Sequence, residues 1–402
     1  MENVGTVTPS AAPSRLLAGA LVLALLTVFF YAMFRFSIGL ILPEVLAEFA
    51  LDSVQGGVFL SISLAATTGT TGVAGYLADR IGPTRILLLG LVVYSAGLIL
   101  AFQALEYLPF VVFLAVNGLG AGLMLTPLYP LIGALVPRRR GLGISSISAL
   151  YNFGGFVGPA YAAAFLGLWG WRLPFVSMGI VGLVLAGAQW RFLRAPNRTV
   201  VSQERPQSVW ELITRNRNLA VLAVGMFFAD LGFLAFISWA PTFLRHTLGM
   251  SAELAGLLFG LAIALGGVGV LTTGALYDRV GGKRVVVGVG VASAGLTLAF
   301  ALQPSASIIA VVLLLAAGFV TNSFWNLLSA LAQTVVGRER VGTATGVVQN
   351  VAFLGAIVGP TLVGAMEASL GLGLALVAGV SIPYALFTIT MLGYRPTRQP
   401  SP

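Results

Sequence analysis

The sequence predicts an all-α protein with many membrane-spanning helices, arranged as two six-helix bundles that are related by pseudosymmetry. Of its 402 residues, 58% are hydrophobic and only 9% are charged, whereas about a quarter of the residues of a soluble domain are charged. The 50 glycines suit helices in lipid, which associate through close approach of their backbones. We therefore expect the lipid bilayer to surround most of the chain.

Twelve apolar segments are long enough to cross a membrane, since a spanning helix needs about 20 residues. They lie near residues 16–42, 55–77, 84–104, 108–136, 141–167, 172–195, 217–244, 252–277, 284–302, 306–336, 341–368 and 370–393. The first segment is longer than the apolar part of a secretory signal and is expected to be retained. The predicted organisation is a tail at 1–15, a bundle at 16–195, a polar linker at 196–216, a second bundle at 217–393 and a tail at 394–402.

The basic residues predict the orientation of the chain. With both termini in the cytoplasm, only Arg172 and Arg245 fall on the outer side and Arg35 falls inside a span, while the rest of the 22 lysines and arginines lie in cytoplasmic segments. Cytoplasmic loops of membrane proteins carry such an excess of positive charge. We expect a multi-pass protein of the inner (cytoplasmic) membrane, with its net charge of +9 marking topology and not a nucleic-acid partner.

An internal repeat divides the chain into halves. The loop Gly75-Tyr-Leu-Ala-Asp-Arg-Ile-Gly-Pro-Thr-Arg85 recurs as Gly274-Ala-Leu-Tyr-Asp-Arg-Val-Gly-Gly-Lys-Arg284. This pattern resembles the signature loop of the major facilitator superfamily, whose second half carries a weaker copy. The resemblance implies a transporter that works by alternating access. It also implies that the two loops latch the halves together, through Gly75, Asp79, Arg80, Gly82, Arg85, Asp278, Arg279 and Arg284. The alternative is that these charges only mark topology.

A glycine-proline pattern repeats as well. Gly154-x-x-x-Gly158-Pro159 in the fifth span is echoed by Gly355-x-x-x-Gly359-Pro360 in the eleventh. Glycine allows a neighbouring helix to approach closely, and proline removes a backbone hydrogen bond. The pattern is similar to the antiporter motif of the superfamily, but residues 160–163 depart from it, and general helix packing is the alternative.

Two charges lie clearly within predicted spans, Arg35 in the first and Asp230 in the seventh. A charge in the membrane is costly unless it faces a cavity or a partner. One hypothesis is a structural ion pair between the two residues. The other is functional: the guanidinium fork of Arg35 attracts an anionic substrate, and Asp230 takes and releases a proton.

The surroundings of Arg35 resemble the anion:cation symporter branch of the superfamily, in which a first-span Arg stands eight residues before a Pro, as Arg35 does before Pro43. The segment from Trp239 to Leu244 also resembles that branch. The resemblance implies transport of a small organic anion, a carboxylate, coupled to protons. Phe34 replaces the acidic residue that the branch has before its Arg, and Asn117 lies in a fourth span that lacks the branch's charges. Either Asp230 takes over proton coupling, or transport is not coupled to protons.

Polar and aromatic residues of other spans are further candidates for substrate binding. Their alternative is an interhelical hydrogen bond or packing contact, worth about 1 kcal/mol. These candidates are Tyr31, Tyr151, Asn152, Trp325, Asn326, Gln349 and Asn350, with Tyr129 as a further aromatic residue that can face the cavity.

Several other functions are disfavoured. The chain has no Cys and a single His, His246, so neither a metal site, a cofactor nor a catalytic constellation is expected. A channel needs filter residues repeated around an axis, whereas one repeat in two halves suits alternating access. We expect a monomer. A drug/proton antiporter is the main alternative, and a non-transporting membrane sensor or assembly protein is the alternative outside transport.

Overall fold

The computed structural model describes residues 14–136, 140–192, 216–335 and 341–395, and the regular structure in these ranges is entirely helical. Most of the two predicted tails and nearly all of the linker at 196–216 lie outside the described residues. The same holds for several predicted cytoplasmic arginines, namely Arg138, Arg139, Arg194, Arg198, Arg205, Arg215, Arg338, Arg340 and Arg398.

Helices occupy each of the six predicted spans of the first half. They run Ser14–Ser37, Ser53–Ile81, Pro83–Gln103, Tyr107–Leu125 with Leu128–Leu135, Arg140–Trp169 and Leu173–Phe192. The first span ends at Ser37, which is earlier than the prediction of 42. Pro43 instead lies in the first turn of a separate helix, Leu42–Glu48, which we call the connecting helix. Proline is favoured at this position because its missing N–H would have no helical partner there.

The second half repeats this arrangement. Its helices run Arg217–Thr242, Ala252–Val280, Gly282–Ala301, Ile308–Thr321 with Phe324–Val335, Val341–Leu376 and Ile382–Leu392, and π-helical turns occupy Phe243–Thr247 and Val377–Ser381. The eleventh and twelfth spans are joined at Gly371, whose φ of 76° is a left-handed conformation that glycine adopts without strain. Ten segments of the described residues are long and apolar enough to cross a membrane.

Glycines allow equivalent pairs of spans to pack closely against each other in both halves. A Cβ on Gly154 or Gly158 would collide with the backbone carbonyls of Phe29 and Met33 in the first span. In the second half, a Cβ on Gly355 or Gly359 would collide with the carbonyls of Phe227 and Leu231 in the seventh span. These glycines therefore serve helix packing, as one of the two interpretations of the motif predicted.

The two halves meet at the end of the molecule where the first span leads into the connecting helix, which we call the closed end. Ser53 Oγ donates to Glu367 Oε2 at 2.5 Å, and Thr242 Oγ1 donates to the carbonyl oxygen of Gly39 at 3.0 Å. Closer to the centre, the hydroxyls of Ser61 and Thr361 are 3.0 Å apart. These contacts all join the first half to the second.

An ion pair also crosses between the halves at the closed end. Arg245 at the end of the seventh span binds both carboxylate oxygens of Glu44 in the connecting helix, at 2.8 and 2.5 Å, and donates to the carbonyl of Leu40 at 2.7 Å. A second pair on the same short helix, Glu48 with Arg172, stays within the first half. Arg172 and Arg245 are the two arginines that the sequence analysis assigned to the outer side of the membrane. Both lie at this same end of the molecule.

The opposite end carries the two repeated loops, and we call it the loop end. Asp79, Arg80 and Arg85 are exposed there, and the Arg80 guanidinium lies over the ring of its own neighbour Tyr76, 4.5 Å from the ring centre. Asp278, Arg279 and Arg284 of the second loop are exposed as well. Among the described residues, the hydrogen bonds and ion pairs that join the two halves lie outside these loops. The predicted latch role of the loops therefore stays a prediction.

Candidate substrate and proton sites

A small cavity lies beside Arg35, within the first half. The arginine occupies the last turn of the first span, and the buried rings of Phe34 and Phe36 on either side fix the rotation of that turn. The cavity has a volume of about 20 Å³, enough for one water-sized group. It is lined by Tyr31, Phe34, Arg35, Ile38, Leu60, Ser63, Leu64, Thr67, Tyr94 and Asn117.

Two hydrogen-bond donors around this cavity are unsatisfied. Nη2 of Arg35 is buried without a hydrogen-bond partner among the described residues, and so is the hydroxyl of Tyr94, whose side chain is fully buried. None of the residues lining the cavity is acidic. Arg35 itself is half-buried, and a partly buried cation without a counter-charge is costly, so the site is electrostatically suited to an anion.

Hydrogen bonds and close helix packing hold the wall opposite Arg35. Asn117 Nδ2 donates to the carbonyl of Tyr94 at 3.1 Å, and Asn117 Oδ1 accepts from Ser63 Oγ at 3.1 Å. A Cβ on Gly97 would lie 2.5 Å from the backbone nitrogen of Asn117, and one on Gly120 would collide with the backbone of Tyr94. The third and fourth spans therefore pack backbone to backbone, and this fixes the position of Tyr94.

Three of the predicted substrate-binding residues, Arg35, Tyr31 and Tyr151, lie close together here. The ring of Tyr31 lies 6.3 Å from that of Tyr151 and 6.1 Å from that of Tyr94, between ring centres. Tyr151 also packs edge to face against Phe36 at 5.3 Å. Tyr151 thus belongs to the aromatic cluster that Tyr31 and Phe36 form beside Arg35.

Asp230 is buried in the seventh span, with 8% of its surface exposed. The ion pairs among the described residues are Arg172 with Glu48 and Arg245 with Glu44. Arg35 and Asp230 therefore do not form the ion pair that one sequence-based hypothesis proposed, since their charged atoms are more than 4.0 Å apart.

The other predicted residues are more dispersed. Asn152 accepts a hydrogen bond from Asn322 of the tenth span at 2.5 Å, so this amide joins the two halves. Trp325 packs against Phe353 at 6.1 Å between ring centres. Asn326 is exposed and Gln349 is half-buried. The structure does not place these four residues around Arg35.

Asn350 is exposed on the eleventh span. It precedes Thr361 by eleven residues, which is about three helical turns, so both residues lie on the same face of the helix. Thr361 contacts the second span at Ser61. The face that carries Asn350 is therefore directed at the first half, closer to the loop end.

Sequence reasoning did not propose Tyr94, Ser63 or Thr67 as site residues. A signal was available for the second span, where Ser63 and Thr67 are four residues apart and share a helix face. Asn117 was noted as an uncharged replacement, and the structure places it in the wall of the Arg35 cavity. Tyr94 gave no such signal, because a tyrosine in an apolar span is also an ordinary packing residue.

Several curated proteins are similar to this chain over most of its length. A 3-(3-hydroxy-phenyl)propionate transporter of Escherichia coli K12 is 29% identical over 94% of both chains. A gallate transporter of Pseudomonas putida is 26% identical over 89% of this chain and 86% of its own length. A cis,cis-muconate transport protein of Acinetobacter baylyi is 24% identical and covers 83% of this chain and 84% of its own length.

The fold is shared with solved transporter structures. A bacterial homologue of the human lysosomal transporter Spinster, in an inward-facing and unoccupied conformation, superposes with a TM-score of 0.83 over 96% of this chain and all of its own, at 18% identity. The nucleoside transporter NupG superposes with a TM-score of 0.82 at 12% identity, over 94% of this chain and 99% of its own. At these identities the likeness concerns the fold.

The chain has two repeated six-helix halves and charged residues within its spans, and its relatives along nearly the whole length are transporters. These observations indicate a membrane transporter and not an enzyme. Residues 24–360 match the model of the Major Facilitator Superfamily, and the chain belongs to that family.

Proposed function

We propose that this protein is a secondary active transporter that moves a small organic anion, a carboxylate, across the inner membrane by alternating access, coupled to protons. Arg35 binds the carboxylate and Asp230 carries the proton. Both termini and the loop end face the cytoplasm, and the transporter acts as a monomer. The single observation that carries this proposal is the buried and unpartnered Nη2 of Arg35 in a cavity without an acidic residue.

The choice of a carboxylate follows from the geometry of the donor. A guanidinium presents its N–H groups as a planar fork that matches two carboxylate oxygens. The relatives named above are transporters for 3-(3-hydroxyphenyl)propionate, gallate and cis,cis-muconate, and each of these molecules carries a carboxylate. The rings of Tyr31 and Tyr151 beside Arg35 offer an aromatic surface for the remainder of such an acid.

The assignment of the proton to Asp230 rests on its position. It is the acidic residue buried among the described parts of the spans. We propose that a substrate bound at Arg35 brings its negative charge toward Asp230. Two negative charges in a buried site repel each other, so binding of the anion favours the protonated form of Asp230, which is the basis of symport.

The mechanism follows from the closed end and the two halves. With the closed end sealed, substrate exchanges at the loop end, where the two repeated loops are exposed. Opening the other side requires the contacts of Glu44 with Arg245 and of Ser53 with Glu367 to separate. We propose that the signature loops then latch the halves at the loop end, and that Trp325, Asn326, Gln349 and Asn350 contact the substrate from the second half.

Uptake into proteoliposomes tests the proposal. Wild type, Arg35→Ala, Arg35→Lys and Asp230→Asn are compared for uptake of radiolabelled 3-(3-hydroxyphenyl)propionate, gallate and cis,cis-muconate, with and without an inward proton gradient. We expect Arg35→Ala to lose binding of the transported acid by about 100-fold, because a charge-assisted hydrogen-bonded contact contributes about 3 kcal/mol. Arg35→Lys keeps the charge without the fork, and it should recover only part of that loss.

Asp230→Asn separates binding from coupling. We expect it to retain exchange of labelled for unlabelled acid but to lose accumulation driven by the proton gradient. If wild type transports none of the acids, or if Arg35→Ala transports normally, the anion proposal is wrong. Lipophilic cations then become the next panel, as expected for a drug/proton antiporter.

A further inference from the structure

The proposed function uses one of the two unsatisfied donors of the Arg35 cavity and leaves the other unexplained. The hydroxyl of Tyr94 is buried and forms no well-aligned hydrogen bond among the described residues, although the side chain of Asn117 lies near it. Leaving a buried hydroxyl without a hydrogen bond destabilises the folded protein, and replacing Tyr94 by Phe would remove that cost. A tyrosine here is therefore explained most simply by a ligand that the hydroxyl binds.

We infer that Tyr94 is a second substrate-binding residue, whose hydroxyl donates to the carboxylate that Arg35 binds, and this inference rests on the proposed function. Tyr94 and Arg35 both line the same cavity of about 20 Å³. A group bound in this small space has both side chains as neighbours. The carboxylate oxygen is an acceptor for both.

The position of Tyr94 is fixed before any ligand binds. The edge-to-face contact with Phe30, at 5.5 Å between ring centres, and that with Phe34, at 6.2 Å, hold its ring. Asn117 holds the backbone behind it, since its amide donates to the Tyr94 carbonyl and accepts from Ser63. A donor that needs no rearrangement binds with less loss of conformational entropy.

The role of Asn117 is consequently one of positioning. Its donor and its acceptor are both engaged by the protein, and the described lining holds no other amide. An acidic side chain at this position would place a negative charge in the cavity that competes with the substrate for Arg35. The neutral amide keeps the cavity electropositive and available to a carboxylate.

The site therefore recognises the ionised carboxylate itself. The cavity admits one small group, so the carboxylate oxygen enters it while the remainder of the acid stays beside Tyr31 and Tyr151. A primary amide has the same shape as the carboxylate, but it carries no charge, and one of its two polar atoms is a donor where the carboxylate has an acceptor. Discrimination between an acid and its amide is thus a direct measure of the two donors.

Binding to the purified, full-length transporter in lipid nanodiscs tests this inference, with 3-(3-hydroxyphenyl)propionate and its primary amide as the probes and calorimetry as the measurement. We expect Tyr94→Phe to weaken binding of the acid by about tenfold or more, as expected for a hydrogen bond to a charged group, and to leave binding of the amide within about twofold. Tyr161→Phe is the matched control. It also removes a tyrosine hydroxyl of the first half, one that is bonded to Ser177 at 2.6 Å, and it should change neither value.

A second variant keeps the test independent of Tyr94. Asn117→Asp is expected to weaken binding of the acid by more than tenfold, because the new carboxylate competes for Arg35. The inference is overturned if Tyr94→Phe binds the acid as wild type does, if it weakens acid and amide alike, or if Asn117→Asp binds the acid normally. Failure of wild type to bind the acid would instead contradict the proposed function, and with it this inference.

Discussion

The closed end and the loop end of this transporter are built from opposite kinds of contact. At the closed end, glycines of one half face backbone of the other, and charged side chains bond across the junction. At the loop end, the charged residues of the signature loops are exposed, and a Cβ on Gly72 or Gly274 would meet no atom within 4 Å.

This difference shows how the free energies of the conformers in alternating access can be kept close to each other. Contacts that exist in only one conformer set the free-energy difference between conformers, and a few kcal/mol decides which is populated. The interhalf contacts of the closed end are such contacts. The signature loops hold charges that can form the equivalent contacts when the loop end closes. The comparison therefore predicts that equal substitutions have unequal effects at the two ends.

The largest effect is expected from glycine at the interhalf junction. A Cβ on Gly57 would lie 2.7 Å from the Cα of Thr361 and 2.8 Å from the carbonyl oxygen of Pro360. Overpacking of this kind costs about 1–3 kcal/mol, so Gly57→Ala should shift the conformers by about 5- to 150-fold toward those in which the closed end is open. Gly72→Ala is the matched control in the same helix.

Thiol labelling measures this shift without background, because the chain contains no Cys. A single Ser61→Cys substitution reports on the closed end, since Ser61 is buried there against Thr361. Its labelling rate should rise in the Gly57→Ala background and stay unchanged with Gly72→Ala. Equal rates in the two backgrounds would mean that the junction does not control the equilibrium.

The next effect distinguishes two ion pairs on one short helix. Glu44 pairs with Arg245 across the halves, whereas Glu48 pairs with Arg172 within the first half. A hydrogen bond to a charged group contributes about 1.5 kcal/mol, so Glu44→Gln should open the closed end by roughly tenfold, which the labelling rate at position 61 reports. Glu48→Gln should lower thermal stability and leave the labelling rate unchanged. The comparison fails if both variants label alike.

A smaller effect is expected on the pH dependence of stability at Glu48. Burial raises its pKa, but hydrogen bonds from Arg172 and Trp171 and the charge of Arg172 outweigh burial and hold the pKa below its ordinary value. The ionised form is thus favoured in the folded protein, and its stabilising contribution is lost as the pH falls through the lowered pKa. Melting temperatures of wild type should fall in this acid range more steeply than those of Glu48→Gln. Parallel curves would contradict this.

The smallest effect is expected at Lys283 of the loop end. Its ammonium donates to the carbonyls of Leu392 and Tyr394, at 2.8 and 2.6 Å, and so caps the twelfth span within the second half. Because these contacts are partly exposed, Lys283→Met should cost less than about 1 kcal/mol. A thermal melt should show a slight decrease, with normal labelling at position 61. A change in labelling would mean that this lysine also acts between the halves.

The fold could be predicted from the sequence more completely than the geometry of the candidate site. Span length and the two copies of the signature loop depend on composition and local pattern, which a single sequence contains. The connecting helix was missed because the apolar run of the first span continues as far as Leu42, although the chain turns after Ser37. Local hydrophobicity does not report such a turn.

Site residues were predictable only where the residue type is unusual for its surroundings. Arg35 and Asp230 stand out because charges are rare in spans, and the structure buries Asp230 and places Arg35 at a cavity. Tyr94 and Asn117 are common residues, and their importance depends on how the third and fourth spans pack. Asn152 was predicted as a ligand contact, yet its bond to Asn322 depends on the approach of two distant spans, which the sequence does not show.

The cavity beside Arg35 is lined by the first four spans alone, and this limits what a bound molecule can do. A ligand that touches only one rigid half has the same affinity in every arrangement of the halves, and such a ligand cannot shift their equilibrium however tightly it binds. A shift between the conformers must therefore come from the part of the substrate that reaches the second half. Very short acids such as acetate should occupy the cavity and compete with longer acids without changing the populations of the conformers.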